Sequence, residues 1–243
     1  MKTLFRFSVF INFAPILNLR MKKEEISQQQ YERILECFMR SLLKNGLKGT
    51  TMDSVAASLQ MSKRTLYEIF GSKEEMFLEV HSYYHKMTAE KLSEIFLSSS
   101  NVMEGIIKCF LFNRDLMSYI STDYIRDMQL LAKKAGDRLF PSNHKNHPQN
   151  LYDILQQGVK EGYFREDVNL MIQCRMLMIQ MESLKRTEEL FPSDISLLEI
   201  FDSIIMGFLR GISSEKGLLE LEKFMPTLSS LSSLSSSSSA FQA

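Results

Sequence analysis

Thr50–Phe77 reads TTMDSVAASLQMSKRTLYEIFGSKEEMF and packs three helix starts into one short stretch. Thr50 and Thr51 are candidate N-caps, and Asp53, three residues after Thr50, forms a short capping box with it. The helix that follows turns Val55, Ala56 and Leu59 inward. Gln60-Met61 makes the turn. Ser62 caps a second short helix whose buried side holds Leu66, Ile69 and Phe70, and Gly71 stops it. Ser72-Lys73-Glu74-Glu75 is a full S-x-x-E capping box and opens a long helix to about residue 97. Two short helices joined by a tight turn, with polar and basic side chains on one side, are the arrangement that reads DNA.

Outward from that stretch the chain remains helical. Upstream, Tyr31, Ile34, Leu35, Phe38, Leu42 and Leu43 repeat at i, i+3, i+4 and i+7, predicting a helix over 27–44 that Asn45-Gly46 ends. Downstream, residues 98–101 break the pattern, and helices are expected over 102–121 and 122–139. Pro141–Asn150, PSNHKNHPQN, reads as a polar loop, and a helix over 151–160 stops at Glu161-Gly162. Asp167 or Asn169 starts a long helix to about Leu190. Pro192-Ser193-Asp194 starts another, strongly apolar from Ile195 to Leu209, and a short one runs from Gly217 to Phe224. There is no strand pattern and no internal repeat. Few Gly and Pro, 16 Met and many Leu favour helix over sheet. The expected fold is all-α: a three-helix DNA-binding domain over 21–77 and a larger helical ligand-binding and dimerisation domain over 78–226. A Ser-rich tail over 227–243 has too little apolar surface to order. Residues 1–20 place an apolar run behind two basic residues without a small-x-small cleavage site, and Met21 opens a second plausible beginning. They read as a disordered extension or a mis-assigned start, not a membrane anchor, so the cytoplasm is the expected location.

The formal net charge is zero, so any nucleic-acid surface must be local. Arg40, Lys44, Lys48, Lys63, Arg64 and Lys73 face only Asp53 and Glu68 between residues 40 and 73, a local positive excess in a neutral chain. On the second short helix, Lys63, Arg64, Thr65 and Tyr67 form the outer face. The helix starts at Thr51, Ser62 and Ser72 offer unsatisfied N–H groups to phosphates, and Lys73 adds a cation at the last of them.

The same residues resemble the DNA-binding segment of the TetR/AcrR family of bacterial transcription regulators: Thr50-Thr51, Val55-Ala56, Ser62-Lys63, Thr65-Leu66-Tyr67, Phe70 and Ser72-Lys73-Glu74-Glu75 followed by Phe77. The likeness is close from Tyr31 to about Phe77; beyond it, the GYFREDVN and IIMGFLRGISSEKG segments look like parts of the family's effector domain. The resemblance implies a homodimeric regulator that binds a palindromic operator, usually as a repressor, and is released by a small-molecule effector. It implies phosphate contacts from Thr50, Thr51, Tyr67 and Lys73, and base or phosphate contacts from Lys63, Arg64 and Thr65. Many relatives have Gly where Gln60 or Arg64 stands. Gln60 must therefore take up the turn without glycine's freedom, and Arg64, suited to bidentate guanine contact, is the expected specificity residue.

Helices near 168–190 and 195–209 are apolar around much of their circumference and are expected to build the dimer interface. Phe110, Phe112, Tyr119, Tyr124 and Met-rich walls between Val102 and Lys160 suit an apolar effector, whose identity and contacts the sequence does not assign. No catalytic constellation, cofactor motif or metal motif is present. His81 and His85 have metal-pair spacing but lack a third ligand, and read as two exposed helix histidines. Cys37, Cys109 and Cys174 read as core thiols. The alternatives to a DNA-binding regulator are a helical protein-interaction module and, behind it, a metal-responsive regulator.

Overall fold

A computed structural model of the chain describes residues 26–135 and 147–233. The expectations for 1–20, the 136–139 helix end and most of the 141–150 loop lie outside them. Every regular element among the described residues is helical, apart from an isolated bridge between Phe164 and Ser213. Eleven helices are described: α1 (Gln28–Gly49), α2 (Met52–Leu59), α3 (Lys63–Phe70), α4 (Lys73–Leu97), α5 (Val102–Ser118), α6 (Thr122–Ala135), α7 (His147–Lys160), α8 (Leu170–Ser183), α9 (Thr187–Leu190), α10 (Leu197–Ile212) and α11 (Glu215–Ser233).

The helices fall into two compact units. One gathers α1–α3, α4 up to Thr88, and α6; the other holds α4 from Ala89 together with α5 and α7–α11. A division at residue 77 would place α6 in the second domain, but α6 packs on α1. In the first unit α1 buries Ile34, Leu35, Phe38, Met39, Leu42 and Leu43. Leu66, Ile69 and Phe70 of α3 and Met76, Phe77 and Val80 of α4 are buried in the same unit, and Tyr31 of α1 stacks on Phe70 at 5.7 Å between ring centroids. Burying each such side chain stabilises by about 1.5–3 kcal/mol.

Gly46 does not end α1 but kinks it, at φ 65° and ψ 179°, and the helix resumes to Gly49. The kink turns the Leu47 and Lys48 N–H groups onto the buried carboxylate of Asp127 on α6, at 2.6 and 3.2 Å. A Cβ at Gly46 would stand 2.7 Å from that carboxylate. Glycine is thus required both for its backbone angle and for its lack of a side chain.

In the second unit, α8 starts at Asn169, whose Oδ1 accepts from the Ile172 N–H at 3.2 Å. It stops at Ser183, and a 3₁₀ turn (Leu184–Arg186) and α9 carry the chain to Leu190. α10 begins at its cap Ser196, not at Pro192-Ser193-Asp194. Ser196 and Glu199 form a reciprocal capping box, which satisfies two otherwise orphaned N–H groups. α7 starts four residues before Leu151, and α11 runs past Phe224 to Ser233, into the serine-rich segment. The Tyr163–Phe164 turn is clasped by two glycines: a Cβ at Gly158 would lie 2.3 Å from the Phe164 ring and one at Gly217 would lie 2.1 Å from the Tyr163 carbonyl oxygen.

Candidate nucleic-acid interface

Thr51, not Thr50, caps α2. Its Oγ1 accepts from the Ser54 N–H at 3.1 Å while Ser54 Oγ accepts from the Thr51 N–H at 3.3 Å, so the box partner is Ser54 and not Asp53. Thr50 has no exposed surface; its hydroxyl lies 3.0 Å from Ser41 Oγ and its N–H donates to the Gly46 carbonyl at 3.1 Å. It therefore leaves the set of phosphate-facing residues, because the extended link after α1 turns it inward.

α2 closes with Gln60 in the left-handed region, φ 55° and ψ 37°, the one non-glycine with positive φ among the described residues. The Met61 N–H donates to the Ala56 carbonyl at 2.9 Å and the Gln60 N–H to the Ala57 carbonyl at 3.1 Å. That pair of bonds is a Schellman ending, which offsets the steric cost of the left-handed residue. Ser62 then caps α3, its Oγ accepting from the Thr65 N–H at 3.0 Å and lying 2.8 Å from the Thr65 hydroxyl. Thr65 is thereby half-enclosed and committed to its own helix start.

With Leu66, Ile69 and Phe70 buried, α3 is fixed in rotation and its other side is open. Arg64 is 87% exposed at the side chain, Tyr67 is 40% exposed, and Lys63 is exposed beside them. Both cations hold carboxylates. Lys63 Nζ lies 2.7 Å from Asp53 Oδ2 in the first turn of α2, a bond that holds its ammonium above the usual lysine range. Arg64 Nε lies 3.0 Å from Glu68 Oε1, one turn on. Exposed to water, such pairs are weak, so a phosphate or base edge can displace the carboxylates at small cost.

Lys73 is placed differently. Its ammonium donates to the Leu47 carbonyl, and burial lowers its pKa. The expected phosphate cation is instead an internal strut between α4 and the kinked end of α1. Ser72 Oγ accepts from the Glu75 N–H at 3.0 Å and starts α4 as the sequence indicates.

Sequence reasoning missed Ser54, Asp53 as partner of Lys63, and Asp127. A T-x-x-S signal announces the first, but nothing in sequence announces a carboxylate 80 residues from the backbone it holds. His81 also differs from expectation. It is buried, with its ring 5.9 Å from that of Phe77, and burial drives its pKa down to about 3. No group of three or more potential metal ligands gathers among the described residues. Cys109 and Cys174 are buried, with pKa values pushed up to about 12, and Cys37 is half-buried.

A capped α2, a Schellman turn and an α3 fixed by its apolar stripe define a helix-turn-helix DNA-binding protein. Residues 34–80 match the family described as bacterial regulatory proteins, tetR family. The HTH-type transcriptional repressor KstR2 of Mycobacterium tuberculosis is 25% identical over 147 residues, 59% of this chain and 74% of that protein. The HTH-type transcriptional repressor NicS of Pseudomonas putida is 22% identical over 165 residues, 62% of this chain and 74% of that protein. The fold is shared with a transcriptional regulator from Saccharomonospora viridis solved in complex with choline, at a TM-score of 0.59 and 15% identity over 78% of this chain and 100% of that one. Over residues 34–80, then, the chain carries the DNA-binding domain of the tetR family of bacterial regulatory proteins.

Proposed function

We propose that the protein represses transcription as a homodimer, each subunit setting α3 into the major groove of one half of a palindromic operator, and that a small molecule bound among the helices of the second unit releases it. The observation that carries this reading is the outward row Lys63, Arg64 and Tyr67 on a helix whose opposite side, Leu66, Ile69 and Phe70, is buried. Thr51, Gln60 and Ser62 flank that row at the helix starts and the turn, where backbone N–H groups and short polar side chains suit phosphates. The repressor sign is supported by the relatives KstR2 and NicS, both named as repressors.

Dimerisation is supported by the open faces of α8 and α10. Ile172, Met176 and Ile179 are exposed on α8 at i, i+4 and i+7. On α10, which packs against α8, Ser203, Gly207 and Gly211 form an exposed row of small residues. Apolar side chains beside a row that permits close backbone approach suit a second copy of the same helices, and a two-fold dimer supplies the two α3 helices that a palindrome needs. The cytoplasm is the compartment this reading implies.

The test is footprinting of the purified protein on fragments of its own genome. The expected result is protection of two inverted half-sites centred about 10 base pairs, or a multiple, apart. Affinity should fall steeply with salt as phosphate contacts release counterions. Absence of DNA binding even at low salt would favour a protein-interaction module.

A further inference from the structure

Most of the basic residues between positions 40 and 73 are engaged. Arg40 pairs with Glu36 at 3.6 Å, Lys63 with Asp53 and Arg64 with Glu68, and Lys73 donates to the Leu47 carbonyl. Lys44 and Lys48 differ. Both are exposed, and neither ammonium meets an acceptor among the described residues. The carboxylates at the kink of α1 do not cancel them. Asp123 is held by Arg126 at 2.7 Å, and Asp127 by the Leu47 and Lys48 N–H groups with the Lys73 charge beside it. The local positive excess of the sequence therefore comes to rest on these two side chains.

Their place in the fold follows from contacts between α1 and α2. The Cys37 thiol meets the Ser58 hydroxyl near the end of α2. One turn further along α1, Ser41 lies 3.0 Å from the Thr50 hydroxyl, just before α2 begins. α1 thus runs from the end of α2 towards its start, and its next turn, which carries Lys44, reaches past that start. Lys48 follows the kink and stands three residues before the Thr51 cap, a span of at most about 10 Å. Asp53, in the first turn of α2, holds Lys63 of α3 at 2.7 Å. The start of α2 therefore adjoins the outward row of α3 through Asp53 and adjoins Lys48 through the extended link. Lys48 also springs from a fixed backbone: its own N–H and that of Leu47 are bonded to buried Asp127, and Lys73 holds the Leu47 carbonyl. A cation on so fixed a base loses less freedom when it binds.

We propose that Lys44 and Lys48 bind backbone phosphates of the operator, which makes the kinked end of α1 a DNA contact in addition to α2 and α3. This rests on the helix-turn-helix reading above. With α3 in the groove, the start of α2 and its neighbours meet the sugar-phosphate backbone, so the contact fixes register and carries no base preference.

The test is fluorescence anisotropy on a footprinted operator fragment and on a random duplex of equal length, each across a salt series. Lys44→Gln combined with Lys48→Gln should weaken binding to both duplexes alike and reduce the logarithmic salt slope by about two per subunit. Each single change should remove about half of that, and Lys48→Arg should keep the wild-type slope. Ethylation interference should reveal phosphates in each half-site that matter to the wild type and no longer to the double variant. Both side chains are exposed and unpaired, so urea unfolding should be unchanged. An unchanged slope and interference pattern overturns the inference and leaves the DNA-binding reading intact. A loss confined to the operator fragment does the same, because a phosphate contact is blind to sequence. Wild-type protein that binds neither duplex overturns both.

Discussion

Lys63 and Lys73, ten positions apart, separate two ways in which a lysine serves a DNA-binding unit. Lys63 is exposed on Asp53, and if the proposed docking holds it exchanges that carboxylate for a phosphate, so Lys63→Ala should weaken binding to all sequences and reduce the logarithmic salt slope by about one per subunit. Lys73 is bonded to the Leu47 carbonyl, so Lys73→Ala should lower the urea unfolding midpoint while leaving that slope unchanged. Anisotropy across a salt series, alongside urea denaturation, reads both. Gln60 makes a third case. Relieving its left-handed backbone with Gln60→Gly should stabilise the fold by about 0.5–1 kcal/mol. A simultaneous change in operator affinity would show that its side chain meets DNA, a role its exposure allows.

At the scale of elements, much was legible because the signals are local. Ser62 and Asn169 cap the helices they precede, and the stripe of Leu66, Ile69 and Phe70 is read directly from periodicity. The hidden parts depend on neighbours distant in sequence. Thr50 turns inward to Ser41, Lys73 bends to Leu47, and the α1 kink makes sense only with Asp127 behind it. The start of α10 was misplaced for a different reason: two cap signals compete, and Pro192-Ser193-Asp194 lost to Ser196, whose Glu199 completes a box. Asp127→Ala would strand the Leu47 and Lys48 N–H groups without a partner. It should cost about 2–3 kcal/mol in chemical denaturation, since buried donors left unmade are expensive.

At the scale of the whole molecule, buried His81 ties stability to acidity. Its pKa falls from 6.5 in the unfolded chain to about 3 in the fold. Between those values the unfolded state binds the extra proton, so stability is complete above about pH 6.5 and declines as pH falls towards 3. By pH 5 the loss should reach about 2 kcal/mol. His81→Phe should flatten that decline in urea titrations run at pH 7 and pH 5. Assembly is tested at Ile179, 71% exposed on α8. Ile179→Asp should leave the helical content intact, convert the sedimenting species from dimer to monomer and abolish binding to the two-half-site operator. The clasp around Tyr163 bears on genetics as well as structure. Because a methyl at Gly217 collides with a backbone oxygen rather than with a movable side chain, Gly217→Ala strains a helix start far in sequence from any base-reading residue. A strain carrying that allele should regulate normally in the cold and lose control of its target genes on warming, providing a thermal switch on gene expression that leaves the recognition helix untouched.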